Sequence, residues 1–167
     1  MLSDTIRNSL STNFISGSYI RVNKQPAECM PKDAITVSLW SKSSTWSNPI
    51  SCTEGGGWNF ENNSGIAFPI YISGVGYKVA TSGITPSTHN GSWHMYTGTM
   101  DKDNVKIYID GELKSTVAVG STNGIGYANN YIFINGEASG NQLTPASSSR
   151  VGLISDVRIY ATALTES

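Results

Sequence analysis

Four aromatic side chains stand among turn-forming residues: Trp46 in SSTWSNP, Trp58 in GGGWN, Tyr77 in GVGYK and Tyr127 in GIGYANN. A pyranose has an apolar face ringed by hydroxyls, so it is held by an aromatic platform together with planar hydrogen-bonding side chains. Asn59, Asn62, Asn63, Asn90, Asn129 and Asn130 supply the second kind beside the first. Trp46, Trp58, Asn59, Tyr77, Tyr127 and Asn129 are therefore the expected carbohydrate-binding residues. For Trp46 and Trp58 the alternative is structural, each closing one end of the core. A pair of exposed tryptophans would be unusual without a binding role.

Catalysis has less to draw on. Glu54 and Glu61 flank a glycine-rich turn, and Asp101, Asp103, Asp110 and Glu112 also fall in turns, where acids are usually solvated. His89 and His94 are the only histidines, and no G-x-S-x-G nucleophile elbow is present. Gly55-Gly56-Gly57 lacks the G-K-[ST] continuation of a phosphate loop, so it reads as a tight turn. Binding without catalysis is the expectation.

Composition narrows the classes further. A chain of 167 residues with 38% apolar content suits one globular domain. Charged residues make up only 14%, so Ser, Thr, Asn and Gly must build most of the polar surface. The net charge of −1, without a basic run, gives no electrostatic footprint for nucleic acid. No window reaches the ~18–20 apolar residues of a membrane-spanning helix. The start, MLSDTIRNSLSTNF, lacks the charged-then-apolar order of a secretory signal, so either synthesis is cytoplasmic or an upstream segment has been removed. Cys29 and Cys52 do not make a disulfide scaffold; two buried free thiols are expected, with a pairing possible on count alone.

The elements that must position these residues read as short alternating runs between Gly, Asn, Ser and Pro clusters, the pattern of antiparallel strands. Strands are expected at 18–23, 34–40, 65–73, 92–100, 104–110, 111–119, 130–135 and 153–160. The 65–73 run sets Ile66, Phe68, Ile70 and Ile72 inward and Ala67, Pro69 and Tyr71 outward. Pro69 cannot donate to a ladder, which predicts an edge or a bulge there. Asp110-Gly111 signals a hairpin, because both central positions of its turn favour positive φ. Trp40 and Trp93 fall in alternating runs and are assigned to packing, while His94 is expected on a sheet surface with a local hydrogen bond. No useful helical period occurs. The longest loops are expected at 23–33, 81–91, 120–129 and 136–150.

Three segments carry a family resemblance: Ala34-Ile35-Thr36-Val37-Ser38-Leu39-Trp40, the Trp93-His94 to Thr97 strand followed by Tyr108-Ile109-Asp110-Gly111, and Gly152 to Leu164. In this order they resemble the laminin G-like, concanavalin A-like jelly-roll superfamily over nearly the whole chain. The resemblance implies an all-β fold, an antiparallel jelly-roll sandwich of two sheets, as a single domain over 1–167. Related enzymes of that superfamily carry a Glu-x-Asp-x-x-Glu triplet on one strand; none exists here, which leaves glycoside hydrolysis as the weakest reading. Many relatives hold calcium with one strand carboxylate plus carbonyl oxygens, and Asp156 matches that acid. One structural Ca2+ at Asp156 is thus implied, and an ion pair to Arg158 or Arg21 would suit the same carboxylate. The stretch Ile50 to Glu61 also resembles modules of bacteriophage virions and bacterial surface proteins, which implies a virion-surface or extracellular location. The partner implied is a cell-surface or cell-wall polysaccharide, with neighbouring protein chains of a larger assembly. The alternative is a structural module that holds such chains and binds no sugar.

Overall fold

A computed structural model describes residues 7, 10–43, 45, 47–89, 91–128, 131–140, 143–147 and 152–165. Its strands are β1 (Thr12–Phe14), β2 (Ile20–Val22), β3 (Ile35–Ser43), β4 (Ile50–Thr53), β5 (Gly57–Asn59), β6 (Glu61–Asn62), β7 (Ile66–Ile72) and β8 (Gly76–Thr81). They continue as β9 (His94–Met100), β10 (Asn104–Ile109), β11 (Glu112–Ala118), β12 (Ile132–Ile134), β13 (Glu137–Ala138), β14 (Pro145–Ser147) and β15 (Gly152–Tyr160). One sheet runs β1-β15-β3-β9-β10-β11; the other runs β2-β12-β4-β5-β7-β6, with β8 also on β7. Every pairing is antiparallel, the arrangement of a two-sheet jelly-roll sandwich.

Alternation builds the core from both inner faces. Ile35, Val37 and Leu39 of β3 and Val105, Ile107 and Ile109 of β10 are buried on the six-stranded side, against Ile66, Phe68, Ile70 and Ile72 of β7. At the centre, Gly98 of β9 pairs with Val37 on one side and Ile107 on the other. The missing side chain leaves a gap that the Phe68 ring fills, and a Cβ on Gly98 would overlap that ring. Phe60 tilts onto Phe68 at 4.9 Å between centroids, completing an aromatic layer between the sheets.

Asp110 and Gly111 have φ of 54° and 84°, so the expected turn joins β10 to β11. Asp110 also ties that turn to β9: Met95 N–H donates to Oδ1 at 2.9 Å, and His94 Nδ1 lies 2.7 Å from Oδ2. The local hydrogen bond expected of His94 is this one. Its ring stacks on His89 at 3.9 Å, and His89 Nδ1 lies 3.2 Å from the Tyr96 hydroxyl. Trp93 is buried and Trp40 half-buried, with the Arg7 guanidinium 3.6 Å above the Trp40 ring, in keeping with their packing assignment.

Three expectations need correction. β7 is an interior strand despite Pro69, with β8 on one side and β5 and β6 on the other. The ladder lapses between the Trp58–Ile70 and Glu61–Ala67 pairs, opposite the proline, but the register is the same on both sides of the gap and unbroken toward β8, so neither the edge nor the bulge expectation holds. The 136–150 loop contains a ribbon, β13 paired with β14, anchored on β4 by the Ser51 hydroxyl donating to the Gly136 carbonyl at 2.7 Å. Both cysteines are free, but only Cys52 is buried, and burial pushes its thiol up to about 12; Cys29 is exposed in a short 3-10 turn.

Two outcomes follow from this packing. Gly98→Ala is expected to cost about 1–3 kcal/mol in chemical denaturation, the range for overpacking a filled core. Gly140→Ala, with open space around it, should stay within about 0.5 kcal/mol. Burial first, and then the neighbouring His94, hold His89 below its ordinary 6.5, while Asp110 pulls the other way and Lys114 adds to the lowering. The unfolded chain therefore binds the proton more readily, and stability is lost as pH falls through 6.5 toward the lower folded value. Urea midpoints measured across that window should fall with pH, and His89→Asn should flatten the slope.

Candidate functional site

Strand alternation that sends Phe68 and Ile70 inward sends Pro69 of β7, Val79 of β8, Thr53 of β4 and Asn59 of β5 to the outer face of the seven-stranded sheet. There they line a groove of about 280 Å³, closed at its sides by Glu61, Asn63, Tyr77 and Glu137. The volume sits at the small end of ligand sites and matches one sugar ring rather than a long chain.

Tyr77 is the aromatic of this groove and is 45% exposed. It pairs across the strands with Tyr71, whose ring meets it edge-on at 5.1 Å. Its hydroxyl lies 3.2 Å from Thr53 Oγ1 and donates to the Gly56 carbonyl at 3.4 Å. With the hydroxyl anchored at one end and the ring braced by Tyr71, the side chain is held as a fixed platform. Asn59 is almost fully buried, and its amide N–H donates to Glu61 Oε2 at 3.3 Å. Asn63 donates to the other oxygen, Oε1, also at 3.3 Å. Glu61 is thereby oriented, with lone pairs left for a ligand.

Glu137 enters from the β13–β14 ribbon. Burial, then the charges of Glu61 and Glu54, raise its carboxyl above the ordinary glutamate range. Nothing local in the sequence marks Glu137, because its place depends on a ribbon folding back over β4. Glu61 is visible in the sequence beside a turn, but only the β6–β7 pairing brings it to the groove.

The six expected carbohydrate-binding residues separate. Asn59 and Tyr77 come together at the groove, with Tyr77 on strand β8 instead of in a loop. Trp58 is corrected: it is 1% exposed, on β5, opposite Cys52 and Ile70, and so belongs to the core. Its position follows from Gly57, which opens β5 at φ 77° where a Cβ would collide with the Cys52 carbonyl. Tyr127 does not line the groove. It is half-buried against the core, its hydroxyl donates to the Pro31 carbonyl at 2.7 Å, and burial pushes its phenol up. Trp46 and Asn129 lie outside the described residues.

Asp156 stands at a bulge of β15, with φ 54°, and both carboxylate oxygens accept from Arg158: Nε at 2.8 Å and an Nη at 3.0 Å. A calcium ion there would have to displace a bidentate guanidinium. Among the described residues no three His, Cys, Asp or Glu side chains gather as a metal site. The donor set around Asp156 therefore does not suit the ion.

The concanavalin A-like lectin/glucanases superfamily model matches residues 14–167. A comparison with curated proteins finds no significant match. Among solved structures, domain 4 of an extracellular arabinanase from Geobacillus stearothermophilus, in complex with arabinotriose, aligns with TM-score 0.71 and 17% identity over 93% of this chain and 72% of that one. The ligand-binding domain of botulinum neurotoxin serotype D, in complex with N-acetylneuraminic acid, aligns with TM-score 0.68 and 19% identity over 91% of this chain and 38% of that one. The binding domain of Paraclostridial Mosquitocidal Protein 1 gives 0.66 and 14%, over 95% and 44%. The chain thus spans about two-fifths of the toxin chains it matches, and at these identities the likeness is one of fold. Across residues 14–167, with its two sheets and its strand order, this chain belongs to the concanavalin A-like lectin/glucanase superfamily.

Proposed function

We propose that this domain is a non-catalytic carbohydrate-binding module whose site is the groove beneath Tyr77. The observation that carries the reading is the part-exposed Tyr77 ring, fixed by Thr53, Gly56 and Tyr71, lining one groove with the side chain of Asn59. An aromatic face beside planar polar groups is what a sugar ring requires. The glycan-bound arabinanase domain and neurotoxin domain of the same fold support it. The natural setting proposed is a cell or virion surface, with cell-surface or cell-wall polysaccharide as ligand. One small groove binds weakly, so useful adhesion would come from several copies in a larger assembly, where linked sites gain about 10²–10⁴ in avidity.

A second reading, a module that holds neighbouring chains, is favoured by one feature. Edge strand β2 leaves Tyr19 39% and Ile20 42% exposed, beside Leu143 at 48%. Edge backbone flanked by apolar side chains is a surface another chain can pair with.

On the glycan reading, Tyr77→Ala should abolish retention on a cell-wall polysaccharide column with only a modest fall in melting temperature, from losing the Tyr71 edge contact and the Thr53 and Gly56 hydrogen bonds. A variant retained like the parent sinks the groove assignment, and retention of neither protein by any glycan moves the case to the β2 edge. Trp58→Ala is expected to lose about 3–5 kcal/mol of stability, as for other buried aromatics. Calcium and a chelator should give the same melting curve, because Asp156 is held by Arg158; a calcium-dependent rise would restore the metal expectation.

A further inference from the structure

The groove is unbalanced in its hydrogen-bonding groups. Two carboxylates, Glu61 and Glu137, face it, and among the described residues its lining contains no lysine, arginine or histidine. Neither acid forms an ion pair among the described residues. Asn59 is 2% exposed, and with its N–H given to Glu61, its Oδ1 has no partner among the described residues. The accessible amide oxygen of an otherwise buried side chain and two carboxylates thus offer acceptors, and the Tyr77 hydroxyl is already engaged. Such a site calls for a ligand rich in donors and carrying positive charge.

Resting on the reading of this groove as a glycan site, we propose that it selects amine-bearing sugars: a hexosamine with a free amino group, held as its ammonium between Glu61 and Glu137 with the ring against Tyr77. The ammonium satisfies acceptors that hydroxyls alone would serve less well, and it relieves the mutual repulsion of the two acids. N-acetylation removes the charge and adds bulk, so the acetylated sugar loses the advantage. Uronic and sialic acids bring a third negative charge to the groove and are rejected.

The test is calorimetric titration near neutral pH with a glucosamine oligomer, its N-acetylated counterpart and an oligogalacturonate. The glucosamine oligomer should bind about tenfold more tightly than the acetylated one, the worth of one charge-assisted contact. Oligogalacturonate should not bind, and the preference should shrink with added salt. Glu137→Gln, close in shape to the parent, should bring the two hexosamine oligomers to similar affinity. As pH falls through the raised titration range of Glu137, the preference should fade although the amines stay charged. Equal affinity for the two oligomers, or binding of the oligogalacturonate, overturns amine selection. If such unselective binding still vanishes in Tyr77→Ala, the glycan groove survives and only the selection falls; if Tyr77→Ala binds like the parent, both fall.

Discussion

The close approach of Phe68 to the bare backbone of Gly98 is the contact on which the rest of the sandwich depends. Two sheets pack about 10 Å apart only when side chains from both inner faces interdigitate. Gly98, between Val37 and Ile107, places no side chain on the inner face of the six-stranded sheet, and Phe68 enters there. Fixing Phe68 inward fixes the phase of β7. With a side-chain period of two, Pro69 and Tyr71 must then face out, and the β7–β8 register carries Tyr77 and Val79 to the same face. The groove is thus a consequence of the core seen from its other side.

What the core leaves at that outer face is a polar arrangement with a cost. Holding Glu137 partly out of water beside two other acids opposes folding. Fully satisfied polar groups of this kind would serve structure alone; acceptors left open toward a small cavity are what the proposed ligand would answer. Elsewhere the acids are spent on structure. Asp110 holds the β9 strand and His94, and Asp156 holds Arg158.

The fold was legible because half-buried strands write their period into the sequence. Ile66, Phe68, Ile70 and Ile72 alternate without a break, and Asp110-Gly111 marks its turn by the φ it demands. The candidate site was legible only in part. Asn59 and Tyr77 were recognisable by type, although Tyr77 reads as a loop residue because glycines precede it. Trp58 misleads for the same reason: its three glycines look like a loop, yet Gly57 begins a strand that turns the indole inward. Glu137 has no local signature at all. Its position comes from the long-range hydrogen bond of Ser51 to Gly136, which periodicity does not encode.

The most direct measurement is backbone amide chemical-shift mapping while neutral and amine-bearing oligosaccharides are titrated into the domain. The account predicts saturable shifts concentrated at Thr53, Asn59, Glu61, Tyr77, Val79 and Glu137, on one face of the seven-stranded sheet. Shifts centred instead on the β2 edge, or on the outer face of the six-stranded sheet, would contradict it.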